Sequence, residues 1–241
     1  MNIAVSIACI SFAGVSLVLW RRQQRARREA YIRDFTLPKG LFEKLREHHP
    51  DLSLKDCQLV AQGLRQFFLG HLKSGKKYVA MPSQVVDDLW HEFILYTKNY
   101  QHFCRHAFGS FLHHTPAVVL NKGQQGGAGI RRTWYYACRE ENINPRVPTR
   151  LPLLFALDSK FNIPNGFIYV PDCSGVRRQT NGGDAGAGAT YCGADLSAAA
   201  GGCGGDSSSD DGGSSCFGGD SDGGSDGGSD GCGGGGCGGG D

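Results

Sequence analysis

Six side chains able to hold a metal ion or move a proton fall within one short segment: Asp87, His91, His102, His106, His113 and His114. Neutral imidazole nitrogens and a carboxylate are donors that zinc takes, with water completing its coordination in catalytic sites. Asp87 and His91 stand one helical turn apart. The carboxylate can there hold one ring nitrogen, fix the tautomer and leave the other free for a ligand. The same pair suits general-base chemistry, yet no nucleophile accompanies it, because Ser83 suits a helix cap and Ser110 a loop. Neither H-E-x-x-H nor paired C-x-x-C is present, so zinc is suggested by donor type and not by a motif. The competing reading is structural: His91 sits in a helical core, bonded to Asp87, while His102 and His106 lie on a solvated face.

The elements that must carry these residues read as helices. LPKGLFEKLREHH has Leu41, Phe42 and Leu45 at helical spacing. LSLKDCQLVAQGLRQFFLGHLK follows with a stripe of Leu59, Val60, Gly63, Leu64, Phe67 and Phe68, capped by Ser53. The next helix is predicted from about Gln84 to near Tyr96, capped by Ser83, with a continuation to Phe108. If it were unbroken, a step of about 100° per residue would put His91, His102 and His106 on one side, at about 40°, 60° and 100° from Asp87. Leu89, Trp90, Phe93, Tyr100, Cys104, Ala107 and Phe108 would then form the apolar stripe. His113 and His114, past Gly109, would fold back to complete a site. IRRTWYYACREENI and LPLLFALDSKFNI predict two further helices, and NGFIYVPDC an extended end. The fold class is mainly α, a small helical bundle over residues 35–175.

The stretch VDDLWHEFILYTKNYQHFCRHAFGSFLHHTP resembles a family of uncharacterised bacterial glycine-rich domain-containing proteins. It is distantly similar to the tryptophan–histidine segment of plant and fungal glycine-rich domain proteins. Asp87, Trp90, His91, Tyr100, Phe103, Cys104, Phe108, Gly109 and His114-Thr115-Pro116 carry the likeness, and LPLLFALDSKFNIPNGFIYV extends it. The resemblance implies a shared domain around Trp90 and His91 over about residues 40–175. It implies no activity.

The two ends of the chain differ in kind. IAVSIACISFAGVSLVLW, residues 3–20, has no charge and spans about 27 Å as a helix. Trp20, Arg21, Arg22 and Arg25 then predict a membrane interface, and residues 21–34 a basic juxtamembrane linker. The positive-inside rule puts the N-terminus outside and the rest in the cytoplasm, where cysteines stay mostly reduced. From Gly182 to Asp241 there are 25 glycines and ten aspartates without a lysine or arginine, so the remaining residues carry a charge of +12. Such a tail buries too little to offset its ordering entropy, and residues 176–241 are expected to be disordered. Its thiols, Cys192, Cys203, Cys216, Cys232 and Cys237, offer soft-metal binding, cross-linking or modification. The basic residues cluster beside the apolar run and not on one folded face, so no nucleic-acid partner is expected. The leading expectation is a membrane-anchored cytoplasmic binding or scaffold module, with the bilayer and an unidentified protein as partners. The alternatives are a metal-dependent enzyme centred on Asp87, His91 and His114, and a protein that presents its Gly/Cys tail.

Overall fold

Local signals set most helix starts. Ser53 accepts from the Asp56 N–H while the Asp56 carboxylate accepts from the Ser53 N–H, a reciprocal cap that opens α3 (Leu54–Lys73). Ser83 opens α4 (Gln84–Leu95) in the same manner, its hydroxyl accepting from the Val86 N–H. The full order in this computed structural model is α1 (Ile3–Asp34), α2 (Leu41–His48), α3, α4, α5 (Thr97–Ala107), α6 (Gln125–Glu140), α7 (Leu153–Lys160), β1 (Ile168–Val170), β2 (Thr190–Cys192) and α8 (Gly193–Ala198). The structure describes residues 3–114, 125–172 and 190–198, with side chains described over 9–114, 127–172 and 190–197. The domain is mainly helical.

The helix α3 is the axis of the bundle, packed by α4, α6 and α7. Gly63 is where they come closest: a Cβ there would lie 2.5 Å from Leu157 Cδ1 and 3.2 Å from Val86 Cγ2. Around that point Leu64, Phe67, Phe68, Leu89, Phe93, Phe103, Trp134 and Phe155 are buried to within a few per cent of fully. Removing such rings from water is the main stabilising term of the domain. The stripe expected on α3 is wider than its apolar residues, since Gln66 is buried too.

Four expectations are corrected. Among the described residues no helix is long and apolar enough to cross a membrane. The single-pass, outside-to-cytoplasm topology falls with it. Residues 21–34 are no linker, because α1 continues unbroken through them and joins the core. Ile32 is fully buried, Arg25 pairs with Glu29 at 3.3 Å and bonds the Lys73 carbonyl at 2.9 Å, and Arg33 pairs with Glu140.

The predicted long helix from Gln84 to Phe108 is two. Tyr96, at φ −77° and ψ 59°, leaves the helical region and separates α4 from α5, so the common angular register of His91 with His102 and His106 is lost. Lastly, the tail returns to the domain. β2 pairs in parallel with β1, Ile168 opposite Thr190 and Val170 opposite Cys192. α8 then packs on α6, with the indole of Trp134 donating to Ser197 Oγ at 3.1 Å. Gly193 lies so tightly on the Trp134 ring that any Cβ would overlap it. Residues 203–241 lie outside the described residues.

Candidate metal centre

The first turn of α4 is held from outside. Its leading N–H groups have no partner within the helix, and the Asp158 carboxylate on α7 supplies one. Asp158 is 3% exposed and accepts from the Gln84 N–H at 2.7 Å, the Val85 N–H at 3.2 Å, Ser83 Oγ at 2.7 Å and the Phe167 N–H at 2.9 Å. This clamp fixes the turn that carries Asp87, and His91 follows on the same face one turn later.

His114 arrives from a different direction. Gly109, at φ +73°, turns the chain out of α5, and a side chain there would collide with the Arg28 guanidinium at 2.6 Å. The Trp90 indole donates to the Tyr100 hydroxyl at 3.2 Å, and that hydroxyl donates to the Leu112 carbonyl at 2.6 Å. Two buried aromatic residues therefore pin the segment that delivers His114. Its ring lies edge-on to Trp90 with centroids 4.6 Å apart, and 4.3 Å from the ring of His91.

Three donors converge as a result. His114 Nε2–H donates to Asp87 Oδ1 at 2.9 Å, and His91 Nδ1 lies 3.8 Å from Asp87 Oδ2. One ligand atom from each of the three residues lies within 4.8 Å of the others. Two donors on a tetrahedral zinc are separated by about 3.3 Å, so small side-chain rotations bring all three onto one ion. Metal binding would displace the His114 Nε2 proton, and both rings would ligate as neutral imidazoles. The His91 side chain is 49% exposed, against 22% for Asp87 and 15% for His114. The cluster thus opens to solvent on the His91 side and is backed by the Trp90 ring.

The other three histidines do not join it. His102 and His106 stack on each other on α5 at 4.1 Å, both exposed, with His106 Nδ1–H bonded to the His102 carbonyl at 2.8 Å. His113 is exposed and lies 4.8 Å from the Phe111 ring. Behind His114 is a small cavity of about 60 Å³, walled by Phe67, Tyr78, Met81, Trp90 and His71. His71 is buried and donates Nδ1–H to the Lys77 carbonyl at 3.2 Å. Burial pushes its pKa below the usual 6.5, against the opposing effect of that bond.

Among the thiols, Cys57, Cys104 and Cys138 are buried and free, and burial raises the pKa of each, that of Cys138 to about 12. Cys192 is disulfide-bonded, unlike the reduced state expected of it. Cys203, Cys216, Cys232 and Cys237 lie outside the described residues.

A family model described as UCP032817-like matches residues 27–196, well over half of the chain. The chain belongs to the UCP032817-like family. The matched span opens at Arg27, in the second half of α1, and closes in α8, so the last two turns of α1 and most of the returning β2–α8 arm belong to the family domain. Asp87, His91, His114, Trp90, Tyr100 and Asp158 all lie inside it. No curated protein and no solved structure matches the chain.

Tyr100 and Asp158, which orient the cluster, are legible in the sequence only as a stripe position and a helix residue within the segments that carry the family likeness. The buried carboxylate had one faint signal. Asp158 follows directly on the apolar LLFAL run, where a carboxylate needs donors if the helix is covered.

Proposed function

We propose that this UCP032817-like protein is a divalent-metal-binding domain, with Asp87, His91 and His114 as zinc-type ligands and an open coordination position facing solvent. The observation that carries the reading is the convergence of three donors, from two separate segments, around a half-exposed His91. A purely architectural His91 would be enclosed and paired, whereas its ring nitrogen stands 3.8 Å from the nearest carboxylate oxygen, beyond hydrogen-bond reach. Three protein ligands with a free position is the arrangement of catalytic rather than structural zinc. The metal would there lower the pKa of a bound water or polarise a substrate oxygen. The kinship of the Trp90–His91 segment to glycine-rich domain proteins belongs to the same proposal, with the metal cluster as the shared feature.

The test is elemental analysis and zinc titration of the purified full chain beside His91→Ala and His114→Ala. The expected result is about one zinc per chain, with affinity reduced at least tenfold in each variant while the far-UV spectrum is unchanged. Equal zinc content in wild type and both variants would overturn the assignment.

A second reading, a docking module for a protein partner, is favoured by one observation. Between Ile10 and Trp20, α1 leaves seven large apolar side chains 47–76% exposed, more than a monomer normally presents in one place. Its test is size-exclusion with light scattering on the full chain and on a Leu17→Gln/Leu19→Gln double variant. A monomer that co-elutes with nothing, in both, removes it.

A further inference from the structure

On the other side of α3 lies a larger cavity, of about 410 Å³, bordered by Arg33, Gln58, Gln62, Arg65, Glu140 and Glu141. Its volume is within the range of small-molecule sites. Arg65 and Phe67 are two residues apart on one helix, about 200° of rotation, so this cavity and the one behind His114 occupy opposite faces.

The charges around it do not cancel. All four oxygens of its two glutamates are taken: Glu140 by Arg33 and by Lys73 at 2.6 Å, Glu141 by Arg150, by Gln66 at 2.7 Å and by the Leu153 N–H. Glu140 stays below the usual carboxylate range, since the bonds from Arg33 and Lys73 outweigh its burial. Arg65 has no such partner among the described residues. Its guanidinium gives one hydrogen bond, from Nη2 to the Phe35 carbonyl at 3.0 Å, and its Nε is buried with none. Burial depresses its pKa. Gln58 and Gln62, exposed one turn apart beside it, have no hydrogen-bond partner among the described residues. Arg65 is half-buried with its Nε shut off from water; the cost of partly withdrawing a guanidinium is offset by an anion, and the fork of Arg suits a planar carboxylate or a phosphate.

We propose that this cavity binds a small molecule through a terminal oxyanion, carboxylate or phosphate, held by Arg65 and flanked by the amides of Gln58 and Gln62. Because the site is separate from Asp87, His91 and His114, the proposal stands apart from the metal reading.

The experiment titrates the full chain with inorganic phosphate and, separately, succinate, by calorimetry and thermal melting, at constant ionic strength set with sodium chloride. Saturable one-to-one binding of either anion is expected, weakened at least tenfold by Arg65→Gln and severalfold by the Gln58→Ala/Gln62→Ala double variant. Whichever anion binds more tightly names the class. The double variant alters two exposed side chains without partners, so it reports even if Arg65→Gln does not fold. Zinc binding should be unchanged in the double variant. Absence of saturable binding to both anions, or binding equal to wild type in the double variant and in any folded Arg65→Gln protein, would overturn the proposal.

Discussion

Asp158→Asn keeps the size and shape of the side chain but changes what its second oxygen position can do. In the native clamp one oxygen accepts from Ser83 Oγ and the Val85 N–H, and the other from the Gln84 and Phe167 N–H groups. An asparagine can keep one oxygen on the first pair. Its NH2 then faces two N–H donors, leaving both without an acceptor. A buried donor left unpaired costs about 1–3 kcal/mol. Both sites are only part-buried, so water recovers some of this, and a loss of about 2–4 kcal/mol is expected. Urea unfolding at 25 °C, followed by Trp90 and Trp134 fluorescence, would show it as a midpoint lowered by roughly 1–2 M at unchanged slope, for a slope of about 2 kcal/mol/M. Zinc affinity should fall in parallel, because the turn that carries Asp87 loses its anchor. A change below about 1 kcal/mol would refute the reasoning, for the four contacts would then not be holding α4.

Two further outcomes follow from the packing and the titrating groups. Gly63→Ala puts a methyl 2.5 Å from Leu157 Cδ1, and should cost about 1–3 kcal/mol, read from the same urea curves; a neutral effect would mean that α7 is free to move off α3. His71 is held neutral by burial, with its folded pKa below the unfolded 6.5, so the unfolded chain takes up the proton first as pH falls. Its contribution is therefore fully present above about pH 6.5 and lost below it, at up to about 1.4 kcal/mol per pH unit. Between pH 7 and 5.5, His71→Gln should lose less stability than wild type; equal losses would refute the assignment.

How much of this was legible in the sequence depended on how local the cause was. Ser53, Ser83 and the Asp87–His91 pair act within four residues, and their spacing alone indicated caps and a one-turn couple. The break at Tyr96 carries neither glycine nor proline, so nothing in the chain announced it, and the angular argument that joined His102 and His106 to His91 failed there. His114 reaches Asp87 only because the Tyr100 hydroxyl meets the Leu112 carbonyl, a contact decided by tertiary packing. The exposed-looking Arg65 and Gln58 gained meaning once α6 supplied a wall whose carboxylates were already occupied. The apolar N-terminal run suggested a bilayer, yet the basic half of the same helix carries the buried Ile32 and the half-buried Tyr31, a dual use that hydropathy averages cannot separate. Composition hid β2 and α8 altogether, since three-residue strands in a glycine-rich region fall below any periodic signal.

That returning arm gives the domain a detachable plug. β2 is three residues long and α8 six, while α3 packs against α4, α6 and α7 without them. Sub-global opening of so small a unit takes far less free energy than unfolding the whole domain. In hydrogen exchange the amides of residues 190–198 should therefore exchange as a group ahead of α3, and each opening would briefly expose the indole of Trp134. Trp134 also donates to the Pro145 carbonyl at 3.1 Å, so the ring keeps one bond when the plug lifts and is ready to be covered again. A chain cut before Thr190 would leave that indole permanently uncovered, turning a transient opening into a standing site for self-association.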